Sequence, residues 1–401
     1  MRIKIIVIIS CFILALVLFS CSGKKQADKS YWQAAVEEEN GVTTIINPGT
    51  PKYGDITLDL EEDLSIGNEE ENNYMFYGAY RVAVDDQGNI YVLDSGNLRI
   101  QKFDSSGKYL QTIGKKGQGP GEFERMYSFF LDAENNIYVS GRRRIQKFDN
   151  KGQFVKSVVL RSFITDFWIS SDNYIYGINS GTTDEGKNQS VVKVNFKGEE
   201  IETVAQFEDV KPVNKKGEGD SITSFGVSHG YNNRLYLAPA INNQLIYGYS
   251  ADYSLFKLNE EGFPDLILKK DIPPQSISKQ EKDKITEEII DSISQRGQKW
   301  PEGVIEEACQ FPPHRPFFSG FATDDKGRIY VRKIMSVLAE TESVEFDIFS
   351  SDGYYLYKTV LPFSPRVIKN GCVYNIDSNE ETGDIRIKRF KIKNWDEIKT
   401  T

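Results

Sequence analysis

Residues 80–114 read YRVAVDDQGNIYVLDSGNLRIQKFDSSGKYLQTIG, and residues 127–160 read YSFFLDAENNIYVSGRRRIQKFDNKGQFVKSVVL. The second is the first rewritten. Asn89-Ile90-Tyr91-Val92 answers to Asn136-Ile137-Tyr138-Val139, and the run Arg99 to Asp104 answers to Arg144 to Asp149. A repeat of this length decides the architecture before any other signal is read. Each copy alternates short apolar and aromatic runs with Asp/Asn/Ser-Gly turns, which supply the positive φ angles of tight hairpins. That pattern predicts four short antiparallel strands per copy.

Outward from the pair, an aliphatic residue followed by Tyr recurs at Ile90-Tyr91, Ile137-Tyr138, Ile175-Tyr176, Leu235-Tyr236, Ile329-Tyr330 and Val373-Tyr374. A strand ending in a Gly turn recurs at Phe103 to Gly107, Phe148 to Gly152, Val194 to Gly198, Leu258 to Gly262 and Phe349 to Gly353. One twisted sheet cannot bury both of its faces. Six such sheets packed about an axis can, and they leave only short, protected edges. The expectation is an all-β fold, a six-bladed β-propeller of four-stranded antiparallel blades occupying 41–401. The last unit lacks an outer strand. Upstream, Ile56, Leu58 and Leu60 alternate with polar residues and have no partner nearby, so they are expected to complete the last blade beside Ile385 to Lys391. An insertion, 271–316, separates units four and five. In it, Ser278 and Glu281 have capping-box spacing. Ile285, Ile289 and Ile293 share a helix face, with Ile290 beside them, and Gly297 is a stop signal. The stripe is expected to dock on the propeller.

The N-terminus reads as a targeting segment. Arg2 and Lys4 precede a nearly unbroken apolar run from Ile5 to Leu18, and Leu18-Phe19-Ser20-Cys21 then gives way to polar sequence. The run is short for a membrane span and suits an export signal over 1–21. Its end resembles a bacterial lipobox, which implies lipidation at Cys21. Residues 22–40 are polar and read as a flexible tether. The Ser22 that follows the cysteine favours the outer membrane over the inner one.

With its NIYV and RIQKFD units and the joint Gly114-Lys115-Lys116-Gly117-Gln118-Gly119-Pro120-Gly121-Glu122-Phe123, the chain resembles NHL-type β-propeller repeats. More narrowly, the signal, the Asn47-Pro48-Gly49 turn, and the insert leading to PPHRPFFSGFATDDKGRIYV resemble six-bladed β-propeller lipoproteins of bacteria. That resemblance implies the fold and a cell-envelope location; it implies no defined activity.

Composition narrows the function. The net charge of −9 offers no basic stripe for nucleic acid. Only two histidines occur, His229 and His314, too few for a three-His zinc site. The Gly114 to Phe123 joint lacks the Gly-Lys-Ser/Thr ending of a phosphate loop and no helix signal follows it. Cys309 and Cys372 either pair, as export permits, or are two buried thiols.

In a propeller, the blade-to-blade joints and the turns after the Tyr strands share one face. Candidate ligand-face residues are therefore Asp94, Asn97 and Arg99; Lys115 and Lys116; Arg142 and Arg143; Asn179, with Asp184; Asn242, Asn243 and Tyr247; and Arg332, with Lys333. These types suit carboxylates, sugars and peptides. The expected function is a lipid-anchored envelope module binding a glycan, a peptide or a protein partner, as a monomer. The alternative is a metal-dependent enzyme, lactonase-like or lyase-like. Gluconolactonase-type propellers hold calcium at the channel mouth, and Asp94 and Asn179 are the counterparts available here. No acid–base pair of recognisable spacing accompanies them, so binding is favoured over catalysis.

Overall fold

The turns explain why the repeats are written as they are. In the computed structural model, which describes residues 32–401 apart from 69, 184–185, 209–212, 217–221, 299, 302 and 380, Asp85 opens the turn before Ile90-Tyr91. Its Oδ1 accepts from the Gln87 and Asn89 backbone N–H groups at 3.0 and 2.8 Å. Its Oδ2 accepts from the Asn89 side chain at 2.8 Å and from the Tyr91 hydroxyl at 3.2 Å. Asp132 does the same for Asn136 and Tyr138, and Asp324 for Arg328 and Tyr330. One carboxylate thus closes the hairpin and fixes the tyrosine at its far side. In the later turn of the first four blades, Asp104, Asp149, Asn195 and Asn259 accept from the backbone N–H groups two and four residues on. Gly198 must be glycine in one of these turns: its φ is +80°, and a Cβ would lie 1.8 Å from the Val159 carbonyl oxygen.

The turns deliver six four-stranded antiparallel blades in a ring. Blade 1 is Ala79–Val84, Ile90–Asp94, Arg99–Phe103 and Tyr109–Ile113. Blade 2 is Ser128–Leu131, Ile137–Gly141, Arg144–Phe148 and Phe154–Val159. Blade 3 is Ile164–Ile169, Ile175–Thr183, Gly186–Val194 and Glu200–Glu208. Blade 4 is Leu235–Pro239, Leu245–Tyr249, Ser254–Leu258 and Pro264–Lys270. Blade 5 is Phe318–Thr323, Ile329–Lys333, Val344–Phe349 and Tyr355–Leu361. Blade 6 is Val367–Lys369, Cys372–Ser378, Ile385–Ile392 and, from the N-terminal side, Leu60–Ile66. First strands of successive blades touch in a closed circuit and so line the axis. The recurrent tyrosines pack between blades: Tyr91 against blade 2, Tyr138 against blade 3, Tyr176 against blade 4, Tyr330 against blade 6 and Tyr374 against blade 1.

Four expectations need correction. Blade 4 is phased differently. Leu245 pairs with Leu258 as Ile90 pairs with Phe103, so Leu245-Ile246 takes the aliphatic-Tyr position and Leu235-Tyr236 belongs to the axial strand. Leu245-Ile246 lacks the tyrosine of the marker, so only strand pairing locates it. The closing strand is Leu60–Ile66, not Ile56 to Leu60. It pairs with Ile385–Ile392, while Lys52, Tyr53 and Ile56 donate backbone hydrogen bonds to the outer strand of blade 5. The ordered chain also begins before Gly41. Ala35–Glu39 forms a hairpin with Val42–Asn47, and the latter lies parallel to Pro264–Lys270, widening blade 4 to six strands. Finally, Asn242 and Asn243 fall in the turn between the first and second strands of blade 4, at the end of the axis opposite the joints. The signal segment with Cys21, and residues 22–31, lie outside the described residues.

The insertion leaves blade 4 after Lys270 and reaches blade 5 at Phe318. Its helix, Lys279–Gln295, has the full capping box: the Ser278 hydroxyl accepts from the Glu281 N–H, and the Glu281 carboxylate accepts from the Ser278 N–H. Gly297 follows the helix at φ +68°. The Ile285 and Ile289 face docks on Tyr231, Ile277, Cys309 and Phe311. A second short helix, Val304–Ala308, was not signalled by periodicity. Cys309 and Cys372 are both free thiols, one in the insertion and one in blade 6.

Candidate functional site

Strand direction alternates, so the joints between blades and the second-to-third turns share one end of the axis. The first strands are irregular near that end. Register slips between Ala79 and Arg81 in blade 1, between Ile164 and Phe167 in blade 3, and between Phe318 and Phe321 in blade 5. A bulge re-aims a side chain that regular pairing would direct into the sheet packing. Here the bulges deliver Tyr80, Asp166 and Gly320 to an axial cavity of about 320 Å³. Five blades contribute to its wall: Tyr80, Arg81 and Val82; Asp166; Tyr236 and Leu237; Gly320, Phe321, Ala322, Tyr330, Arg332 and Phe346; and Ser364, Pro365, Arg366 and Ile368.

The polar groups of the cavity are unevenly satisfied. Arg81 Nη2 donates to Asp166 Oδ2 at 3.0 Å, and Ser128 of blade 2 donates to Asp166 Oδ1 at 3.1 Å. Arg332 is held by neutral groups alone: Nε to Ser319 Oγ at 2.6 Å, Nη2 to the Ser319 carbonyl at 2.7 Å and Nη1 to Ser364 Oγ at 2.8 Å. The Arg366 guanidinium makes no hydrogen bond or ion pair with any described residue. The residue is exposed as a whole, but partial desolvation of its guanidinium, then the positive charges of Arg332 and Arg81, lowers its pKa. Burial likewise lowers that of Arg332. Both remain cations, because a guanidinium does not deprotonate in proteins. Tyr236 rests its ring edge-on against Phe321, and its hydroxyl has no partner among the described residues. Three guanidiniums therefore face one carboxylate in a chain whose net charge is −9. Around them the same face exposes Tyr77 and Phe163, the latter packed edge-on to Tyr127 at 5.3 Å.

Of the residues singled out from sequence, Arg332 lines this cavity. Asp94 is fully buried: Oδ1 accepts from the Tyr77 N–H at 2.8 Å, and Oδ2 from Asn97 at 2.8 Å and Arg99 Nε at 2.9 Å. Arg99 also donates to the Asn72 and Met75 carbonyls, so the trio secures the chain entering blade 1. Lys115 pairs with Glu122 at 3.3 Å, and Lys116 and Arg142 are exposed. Arg143 donates to the Arg161 carbonyl. Asn179 is half-buried in the second strand of blade 3, and Asp184 lies outside the described residues. Tyr247 stacks on Phe256 at 5.0 Å between blades 3 and 4, its pKa pushed up to about 12 by burial. Lys333 pairs with Glu345 at 2.7 Å.

His229 is internal. Its Nδ1 accepts from the Tyr231 N–H at 3.2 Å, its Nε2 donates to the Gln310 carbonyl at 2.9 Å, and burial lowers its pKa, which together favour the neutral ring. His314 lies beside Phe317. Sequence reasoning missed Arg81, Asp166, Tyr236 and Arg366. The available signal was a charge inside an otherwise apolar axial strand, at Arg81 in YRVAV and at Asp166 in ITDFWI.

Solved structures similar to this chain include three of low identity. A putative exported protein from Bacteroides fragilis is 12% identical, with a TM-score of 0.49 over 87% of this chain and 99% of that one. Virginiamycin B lyase from Staphylococcus aureus is 9% identical, with a TM-score of 0.40 over 83% and 99%. A gluconolactonase from Xanthomonas campestris is 12% identical, with a TM-score of 0.40 over 78% and 86%. No curated protein matches the chain. Residues 69–294, more than half of the 401, match the family described as Domain of unknown function (DUF4934), and the chain belongs to that family.

Proposed function

We propose that this protein is an envelope binding module, anchored by a lipid on Cys21, that engages a glycan, peptide or protein partner through the joint end of its axis. The observation that carries the reading is the bulged axial cavity. Three separate strands break their pairing at one level, and the wall so formed keeps a guanidinium and a hydroxyl that have no partner among the described residues. Concave, partly apolar sites with a few convergent polar groups are the common form of ligand site. The exposed Tyr77 and Phe163 on the same face suit stacking on sugar rings or apolar side chains.

Calcium, which a gluconolactonase-like site would require, does not suit these residues. Asp94 has both oxygens committed to the Tyr77 N–H, Asn97 and Arg99, and the cavity wall carries three cations to one anion.

The test is a glycan and peptide array probed with the purified full chain, with and without a chelator. Binding that survives the chelator and falls when Tyr236 is replaced by Ala is the expected result. A silent array, with turnover of lactones or esters by the same preparation, would sink the reading.

A further inference from the structure

We infer that the axial cavity is an oxyanion site: it receives a carboxylate or phosphate ester of the ligand on Arg366, with Arg332 and Arg81 beside it. This rests on the binding reading above and names the chemistry of the group bound. The first argument is partner accounting. Asp166 answers Arg81 at 3.0 Å, and neutral serine and carbonyl oxygens hold Arg332, but nothing among the described residues answers Arg366. A guanidinium has five N–H donors in a planar fork suited to carboxylate and phosphate oxygens. Arg366 is exposed to solvent, so water meets its donors until a ligand arrives, but Arg332 and Arg81 lie within electrostatic range of it, and a bound oxyanion would offset that repulsion.

The second argument is rigidity. Arg332 makes three hydrogen bonds of 2.6–2.8 Å, so its charge is placed before any ligand arrives. The third is space. Gly320 has φ +142°, and a Cβ on it would stand 3.8 Å from the Tyr236 ring and 4.0 Å from Arg332 Nη2, so the residue keeps the approach to both open. The volume of about 320 Å³ admits a group the size of a monosaccharide. The Tyr236 hydroxyl is left to accept from or donate to the same ligand.

Three hexoses of one size separate charge from shape: glucose, glucuronate and glucose 6-phosphate, titrated calorimetrically into the full chain. The expected result is at least tenfold tighter binding of one or both charged hexoses than of glucose, weakening as salt is raised. Which of the two is favoured identifies the oxyanion. Arg366→Gln should lose the preference tenfold or more, and Arg366→Lys should keep part of it. The unliganded Arg366→Gln protein should melt at or above the native temperature, because a like charge has been removed. Equal binding of all three hexoses, failure of both charged ones, or a preference unchanged by Arg366→Gln would overturn the assignment. Array ligands held equally by native and Arg366→Gln chains would leave the binding module standing while removing the oxyanion. A silent array would remove the binding module, and the hexose series would still judge the cavity on its own.

Discussion

Asp85 shows how much one side chain carries in this chain. It accepts four hydrogen bonds, and the tyrosine it holds lies fully buried between two blades. Replacing Tyr91 by Phe removes one partner and should cost about 1 kcal/mol. Asp85→Ala leaves several donors without an acceptor and should cost roughly 2–4 kcal/mol, so denaturant midpoints should rank native, then Tyr91→Phe, then Asp85→Ala. Glu281 is the second such residue. Burial works to raise its pKa, but hydrogen bonds from Tyr231, Ser336 and Ser278 outweigh it and hold the carboxyl at about 2. Because the folded value is depressed from 4.5, its contribution is full above about pH 4.5 and fades as pH falls towards 2. Melting curves of native and Glu281→Gln proteins should therefore converge over that window. A constant gap would contradict the assignment. The turn aspartates were legible because each acts within six residues of itself. Arg81 and Asp166 were not, because they lie 85 positions apart and meet only through bulges on separate strands.

At the scale of elements, the N-terminal segment behaves as a belt. Val42–Asn47 edges blade 4, residues 52–56 run beside blade 5, and Leu60–Ile66 completes blade 6. Asn47 is its first buckle. Fully buried, it donates to the Lys269 and Gly353 carbonyls at 3.0 and 2.7 Å and accepts from the Tyr355 N–H at 2.7 Å. Asn47→Ala strands three backbone groups and should cost about 2–3 kcal/mol. Protease cleavage before Leu60 should quicken accordingly, and an unchanged cleavage rate would count against the belt. The insertion is fastened in the same manner. Glu281 accepts from the Tyr231 hydroxyl and from Ser336, and Tyr231 in turn accepts from the Val337 N–H. The capping box and the isoleucine stripe were readable because both are local and periodic. What they dock against was not, since Tyr231 and Val337 lie outside the insertion.

For the molecule as a whole, closure is the decisive event. Five blades are continuous in sequence, and the sixth borrows Leu60–Ile66, with Arg389 clasping Asp63 at 2.8 and 3.0 Å. The C-terminal tail adds a second lock. Arg328, fully buried, donates Nη1 to the Ile398 carbonyl at 2.6 Å and lies 3.9 Å from the centre of the Trp395 ring. A chain beginning at Gly67 should leave the edge of Ile385–Ile392 unpaired. Its unfolding should lose the single cooperative transition of the full chain and expose apolar surface to a hydrophobic dye. A chain that unfolds as sharply as the native one would show that closure is dispensable.

The amino-acid sequence by itself determined the repeat, its turns, the number of blades and the capped helix, because each depends on residues only a few positions apart. The tertiary structure alone decided the phase of blade 4, which strand closes the ring and which side chains share the axial cavity. Those outcomes depend on pairing register, where a slip of one residue sends every side chain of a strand to the opposite face. The two copies at 80–114 and 127–160 differ between their second and third strands, as SGNL against SGRR, but the cavity takes only Tyr80, Arg81 and Val82, from the first strand of the earlier copy, and the rest of its wall comes from blades 3 to 6.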